Sequence, residues 1–147
     1  MGQAATIKNV IVTHLQNLVN AQTIGGFYEE DLSKDVLEGT YSNFPIVLLG
    51  MSDSKSEILT NRANKNDYKF QLIVMQKVDN VKAPTDIEDL KDLILTEFAN
   101  DPTFGLGNGW VDPPVSPLPP VSTPDKTYII FLIELNVHVA VDLTFNI

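Results

Sequence analysis

The sequence predicts a single α+β domain in which two helices pack on one face of an antiparallel sheet of about four to five strands, with mixed pairing left open. Two segments place apolar residues at helical spacing and two place them at every second position. The length, 147 residues, suits one hydrophobic core over residues 1–147.

The first helix is read from Ala5 to Gln22. Ile7, Val10, Ile11, Leu15 and Leu18 lie on one stripe, and Lys8, Asn9, Thr13, Gln16, Asn17 and Asn20 fall on the other side. Gly25-Gly26 supplies a stop signal beyond it. His14 sits inside the apolar stripe, four residues from Val10 and Leu18, and is expected to be satisfied in the core or in a subunit interface. Between Phe27 and Glu38, five acids (Glu29, Glu30, Asp31, Asp35, Glu38) face the single Lys34. The run lacks the EF-hand ligand spacing and its central glycine, so it predicts a solvated or lumen-facing surface and no metal site.

The apolar run from Phe44 to Met51 has strand length, and its continuity predicts cover on both faces. Ser52 to Asp67 is expected to hold hairpin strands joined by a mobile loop, with Asn61 to Asp67 as its tip. Tyr68, Phe70, Leu72, Val74 and Val78 then alternate with Lys69, Gln71, Ile73, Met75 and Lys77, the period of a half-buried strand. The strongest alternation is the last. Every odd position from Ile129 to Phe145 is apolar, while the even positions turn polar at Glu134, Asn136, His138, Asp142 and Thr144. An unbroken strand of that length spans roughly 55 Å, so a bend or bulge is expected. At Tyr128, Ile130 and Leu132 the even face is apolar too, which marks these three as a candidate subunit interface. His138, between Asn136 and Ala140 on its face, reads as an ordinary solvent-side residue.

The second helix starts at Pro84-Thr85-Asp86-Ile87-Glu88. Thr85 and Glu88 form a capping box, and Asp86 and Asp89 place negative charge where the helix dipole favours it. Ile87, Leu90, Ile94 and Phe98 form its buried stripe, and Asn100-Asp101-Pro102 ends it. The glycines of Gly105-Leu106-Gly107-Asn108-Gly109 lack the lysine and serine or threonine of a phosphate loop and are read as a turn. From Asp112 to Pro124 the chain carries six prolines: Pro113, Pro114, Pro117, Pro119, Pro120 and Pro124. That segment is extended and stiff, and either spans a gap across the domain or projects as an arm.

Composition narrows the function classes. Ten basic residues stand against 19 acidic, a formal charge of −9, which disfavours grip on nucleic-acid phosphates. With 44% apolar and 20% charged residues the chain is not wholly disordered. There is no cysteine, so disulfides, thiolate metal sites and cysteine nucleophiles are excluded together. No apolar run has bilayer-spanning length and the start lacks a signal-peptide pattern, so a protein without membrane association is expected. Met1 to Thr6 match the loose N-myristoylation pattern, which so short a motif meets by chance. No catalytic, cofactor-binding or metal-ligating constellation is found: two separated histidines, no serine motif and no ligand spacing argue against an enzyme.

The order of helix, apolar strand at Phe44-Pro45-Ile46-Val47, hairpin, the Tyr68 to Val78 strand, the Asp86 to Phe98 helix, proline-rich connection and long terminal strand resembles the tail-terminator proteins of long-tailed bacteriophages. The resemblance runs from Ile7 to about Phe145 and includes no invariant functional motif; the proline-rich segment is longer than the pattern leads one to expect. What it implies is a homo-oligomer, a hexameric ring at the head-proximal end of the virion tail, made in the host bacterial cytoplasm. Such a ring caps the tail tube, ends its polymerisation and joins the tail-tube protein to the head-connector (neck) protein, while DNA passes through without specific binding. On that reading Glu29, Glu30, Asp31, Asp35 and Glu38 form a candidate channel or rim surface, and Pro113, Pro114, Pro117, Pro119 and Pro120 a candidate ring-to-ring contact arm. The alternatives are another neck, head-completion, tail-tube or minor tail protein and, more remotely, a cellular adaptor whose Pro113 to Pro120 segment is a ligand for aromatic-grooved domains.

Overall fold

The computed structural model describes residues 3–29, 45–60, 63–77, 84–106, 109–122 and 128–142. Helix α1 (Gln3–Asn20) leads into strand β1 (Gly26–Glu29); β2 (Ile46–Thr60) and β3 (Ala63–Lys77) form a long hairpin; α2 (Pro84–Ala99) follows. Two short strands, β4 (Gly109–Val111) and β5 (Val121–Ser122), precede β6 (Tyr128–Asp142). The sheet order is β1-β2-β3-β6-β4, with β5 also on β6. Among the described residues every pairing is antiparallel except β1 with β2, so the sheet is mixed, and its strands beyond the expected count are short edge pieces.

Both helices cover one face, as the periodicities require. Ile7, Ile11, Leu15 and Leu18 of α1 and Ile87, Leu90, Ile94 and Phe98 of α2 share one core with Val47, Leu49, Phe70, Leu72, Val74 and the odd positions Phe131 to Val139 of β6. The Leu15, Ile94, Leu72 and Ile133 side chains are wholly buried, each contributing about 1.5–3 kcal/mol by removal from water. The opposite face carries a smaller apolar cluster at one end, Ile46, Leu48 and Met75, with Tyr28, Ile73, Tyr128 and Ile130 packed against it. The run from Ile46 to Leu49 is thus covered on both faces, as its unbroken apolarity predicts.

Three local expectations are corrected. Helix α1 ends at Asn20 instead of Gln22, and not on the glycines: Gln22 takes a left-handed backbone (φ 62°), its N–H donates to Val19 O at 3.0 Å, and the Thr23 N–H donates to Leu18 O at 2.9 Å. That is a Schellman end built on glutamine, while Gly26 already opens β1. The expected hairpin tip, Asn61 to Asp67, is strand from Ala63 onward, while Asn61 and Arg62 lie outside the described residues. Thr60 pairs with Ala63, and Asn64 to Asp67 are strand residues flanked by β2 on one side and β6 on the other. Both faces of this stretch are polar in sequence, so no apolar alternation marks it as strand. Helix α2 begins at Pro84, ahead of Thr85, and the described partner of Glu88 is Lys91 at 2.8 Å; the side chains of residues 84–86 lie outside the described ones.

The proline-rich segment is laid along β6, which decides between the spanning and projecting alternatives. β4 pairs with β6 through Gly109↔Val139 and Val111↔Val137, Val115 bridges Glu134, and β5 pairs Val121 with Ile130. From Val111 to Val115 the segment advances four residues while β6 advances three (Val137 to Glu134), and from Val115 to Val121 it advances six against four (Glu134 to Ile130). The prolines fall in these bulged stretches, where no ladder N–H is asked of them. Pro124 lies outside the described residues. At the start of this edge strap Gly109 is required by contact: a Cβ there would lie 2.9 Å from the Leu106 side chain and 3.1 Å from His138 O.

Candidate functional site

The sheet face away from the helices changes character along β6. Its even positions run from half-buried Tyr128, Ile130 and Leu132 to Glu134, Asn136 and His138. Register then assembles a polar cluster at the far end, because Asp67 of β3 and Trp110 of β4 both lie directly opposite His138.

His138 Nδ1 is 2.6 Å from Asp67 Oδ1 and its Nε2 is 2.9 Å from Asp112 Oδ2. The Trp110 indole stacks on the imidazole with ring centroids 5.2 Å apart and planes 26° apart. Burial lowers the His138 pKa, but the hydrogen bonds and charges of Asp112 and Asp67 outweigh it and the result is raised above the ordinary 6.5. A neutral imidazole has one N–H to give, whereas two carboxylates ask for two; the imidazolium satisfies both. The expectation of an ordinary solvent-side histidine is therefore corrected: its side chain is 16% exposed and fixed on three sides.

The other histidine repeats the arrangement on the helix side. His14 Nδ1 lies 2.7 Å from Glu97 Oε2 and Nε2 lies 2.7 Å from Asp101 Oδ2. Phe98 and Phe104 enclose the ring, with centroids at 5.2 and 5.7 Å. Phe104 is 3% exposed and holds a left-handed backbone (φ 51°), costly for a bulky residue and retained because its ring fills the core beside His14. His14 is thus satisfied at the margin of the core, by two acids four residues apart at the end of α2.

At both histidines the place where a catalytic triad would hold a nucleophile is filled by a second carboxylate. The nitrogens of one imidazole point apart, so acids bound to both do not converge on a common ion, and among the described residues no group of three or more ligating side chains is arranged for a metal. The geometry is that of clamps in which each imidazole is held by hydrogen bonds between two carboxylates. An open cleft of about 420 Å³ near the end of α1, lined by Gln22, Thr23, Pro45, Leu90 and Leu93, brings Asp89 as its charged side chain among the described residues. No helix among the described residues is long and apolar enough to cross a membrane.

The residues singled out from sequence are scattered over this frame. Tyr128 and Ile130 pack against the smaller apolar cluster, and Leu132 follows them on the same face. Of the acidic run only Glu29 is described; it ends β1, is exposed and pairs with Lys8 at 3.1 Å, while Glu30, Asp31, Asp35 and Glu38 lie outside the described residues. Pro113, Pro114, Pro117, Pro119 and Pro120 belong to the edge strap, which also presents the exposed side chains of Trp110, Val115, Leu118 and Val121. Sequence reasoning missed Asp67, Trp110 and Asp112 around His138, and Glu97 and Asp101 around His14. One signal for the second set was available: two acids at the C-terminal end of a helix, where the dipole opposes them, call for a cation nearby. In comparisons with known proteins the chain matches no family model, and it matches no curated protein.

Proposed function

We propose that this chain is a structural, non-enzymatic virion protein of a long-tailed phage: a tail terminator that caps the tail tube as a ring, ends its polymerisation and joins it to the neck. The observation that carries the reading is the arrangement of the sheet. Two helices cover one face of a mostly antiparallel sheet, and the other face carries the half-buried apolar row Tyr128, Ile130 and Leu132 suited to a neighbouring subunit. A net charge of −9 suits a conduit through which DNA moves without sticking. Another neck, head-completion, tail-tube or minor tail protein is the second reading, favoured by the same sheet. The adaptor reading loses support, because the Pro113 to Pro120 segment is bonded along β6 through Val115 and through Ser116, whose hydroxyl donates to Leu132 O at 2.7 Å.

Mass measurement in solution, with and without purified tube ends, followed by imaging of any ring, tests the proposal. The expected result is a ring on the tube end and arrest of tube growth. A chain that stays monomeric with tube ends present and leaves polymerisation unchanged overturns it. Leu132→Glu is expected to keep the fold and lose the ring.

A further inference from the structure

We propose that residues 109–122 form a strap latched to the sheet by protonated His138 through Asp112, and that the strap loosens as the histidine gives up its proton. The latch joins three elements across one face: Asp67 on β3, His138 on β6 and Asp112 just after β4. Among the described residues, few charged and titratable groups surround it. β3 contributes Asp67 and, two residues on, Lys69, which pairs with Glu134 of β6 at 3.5 Å; the strap contributes Asp112; β2 places Lys55 at the register position opposite Asp67.

Deprotonation leaves one ring nitrogen as an acceptor facing a carboxylate, so one of the two contacts must break. Asp112 is the one that leaves. Its side chain is 49% exposed and regains water on moving out, whereas Asp67 is 24% exposed and makes the shorter bond. Trp110 adds to the preference, since an indole face attracts the imidazolium and not the neutral ring. Beside the latch the strap is held by backbone bonds to β6 and the Ser116 hydroxyl, while Val115, Leu118 and Val121 are exposed and five prolines between Asp112 and Val121 cannot donate to β6. The raised pKa of His138 agrees with this geometry. A group whose folded pKa lies above its unfolded value stabilises fully below the latter, here 6.5, and its contribution is lost as pH rises through the folded value. The strap is therefore closed below pH 6.5 and loosens above it.

The molecule carries its own reporter, because Trp110 is its only tryptophan and a stacked imidazolium quenches indole emission. Titrating the fluorescence of the whole chain is expected to show emission rising with a midpoint above 6.5, falling toward 6.5 in Asp112→Asn and vanishing in His138→Gln. Hydrogen exchange at the Asp112 and Val115 amides, which donate to Asn136 O and Glu134 O, reads the strap itself. Corrected for base-catalysed exchange, their opening should rise by up to about tenfold per pH unit between 6.5 and the latch midpoint, then level off. Amides of β3 should stay unchanged across the same range. Strap amides that open independently of pH while Trp110 titrates overturn the proposal, as does emission that does not titrate in the native chain.

Discussion

The two histidine clamps use the same groups, an imidazole between two carboxylates against aromatic rings, yet hold very different parts of the molecule. His14 draws both acids from one place, the end of α2, and ties two helices that already share a core. His138 draws its acids from two elements and ties an edge strap, whose Trp110, Val115, Leu118 and Val121 are exposed, to β6 and β3. A side-chain clamp matters more at an edge strap, held otherwise by scattered backbone bonds, than between helices that share a core. The first clamp is an addition to the core; the second joins the backbone bonds that attach its segment to β6.

The sharpest break of this comparison is expected from the core beside His14. Phe98 is 1% exposed, and Phe98→Ala should cost about 3–5 kcal/mol, lowering the urea midpoint of the whole domain with strap and helices unfolding together. A loss under about 1 kcal/mol would mean that the helices are not held by their apolar stripe. Next come the clamps themselves. His14→Ala leaves Glu97 and Asp101 facing each other at the negative end of α2, a global cost of about 1–3 kcal/mol, moderated because both acids keep contact with water. His138→Ala should cost about 1 kcal/mol or less in global unfolding and appear instead as faster exchange in residues 109–122. Far-UV circular dichroism in urea for both variants checks the pair, and equal global costs would erase the distinction.

A third expected effect is smaller and opposite in sign. The left-handed Gln22 ends α1 in a conformation that glycine adopts without penalty, so Gln22→Gly should raise stability by up to about 1 kcal/mol in the same urea measurement. A loss would show that the glutamine side chain contributes contacts that outweigh its backbone strain. The contrast with Phe104 is instructive, since that residue shares the conformation but buries its ring, and the same replacement there would remove core.

The helices and β6 were legible because apolar periodicity reports which face of an element is buried. Pairing partners were not. Period two says that His138 shares a face with Asn136 and Ala140, but it does not say that register sets Asp67 and Trp110 opposite it. The hairpin was missed in part for a related reason: Asn64 to Asp67 are strand by backbone pairing alone, with polar residues on both faces. The strap was ambiguous because proline has no N–H, and the donors that attach the segment belong to residues between the prolines, Val115 among them. His14 was placed correctly as a satisfied residue, but its partners lie 83 and 87 positions away, beyond any local pattern.

The smallest expected effect bears on what the strap is for. Leu118 is 62% exposed, so Leu118→Ser removes little apolar contact within the chain and should change stability by no more than about 0.5 kcal/mol. The same substitution removes one of four exposed apolar side chains that the strap presents with Trp110, Val115 and Val121, all on the segment that carries the prolines proposed for contact with the next ring. A contact there predicts weaker ring-on-tube assembly at unchanged urea stability. If stability falls by more than about 1 kcal/mol, Leu118 is packed and the strap is a structural strand; if neither stability nor assembly moves, the strap does not make the ring contact.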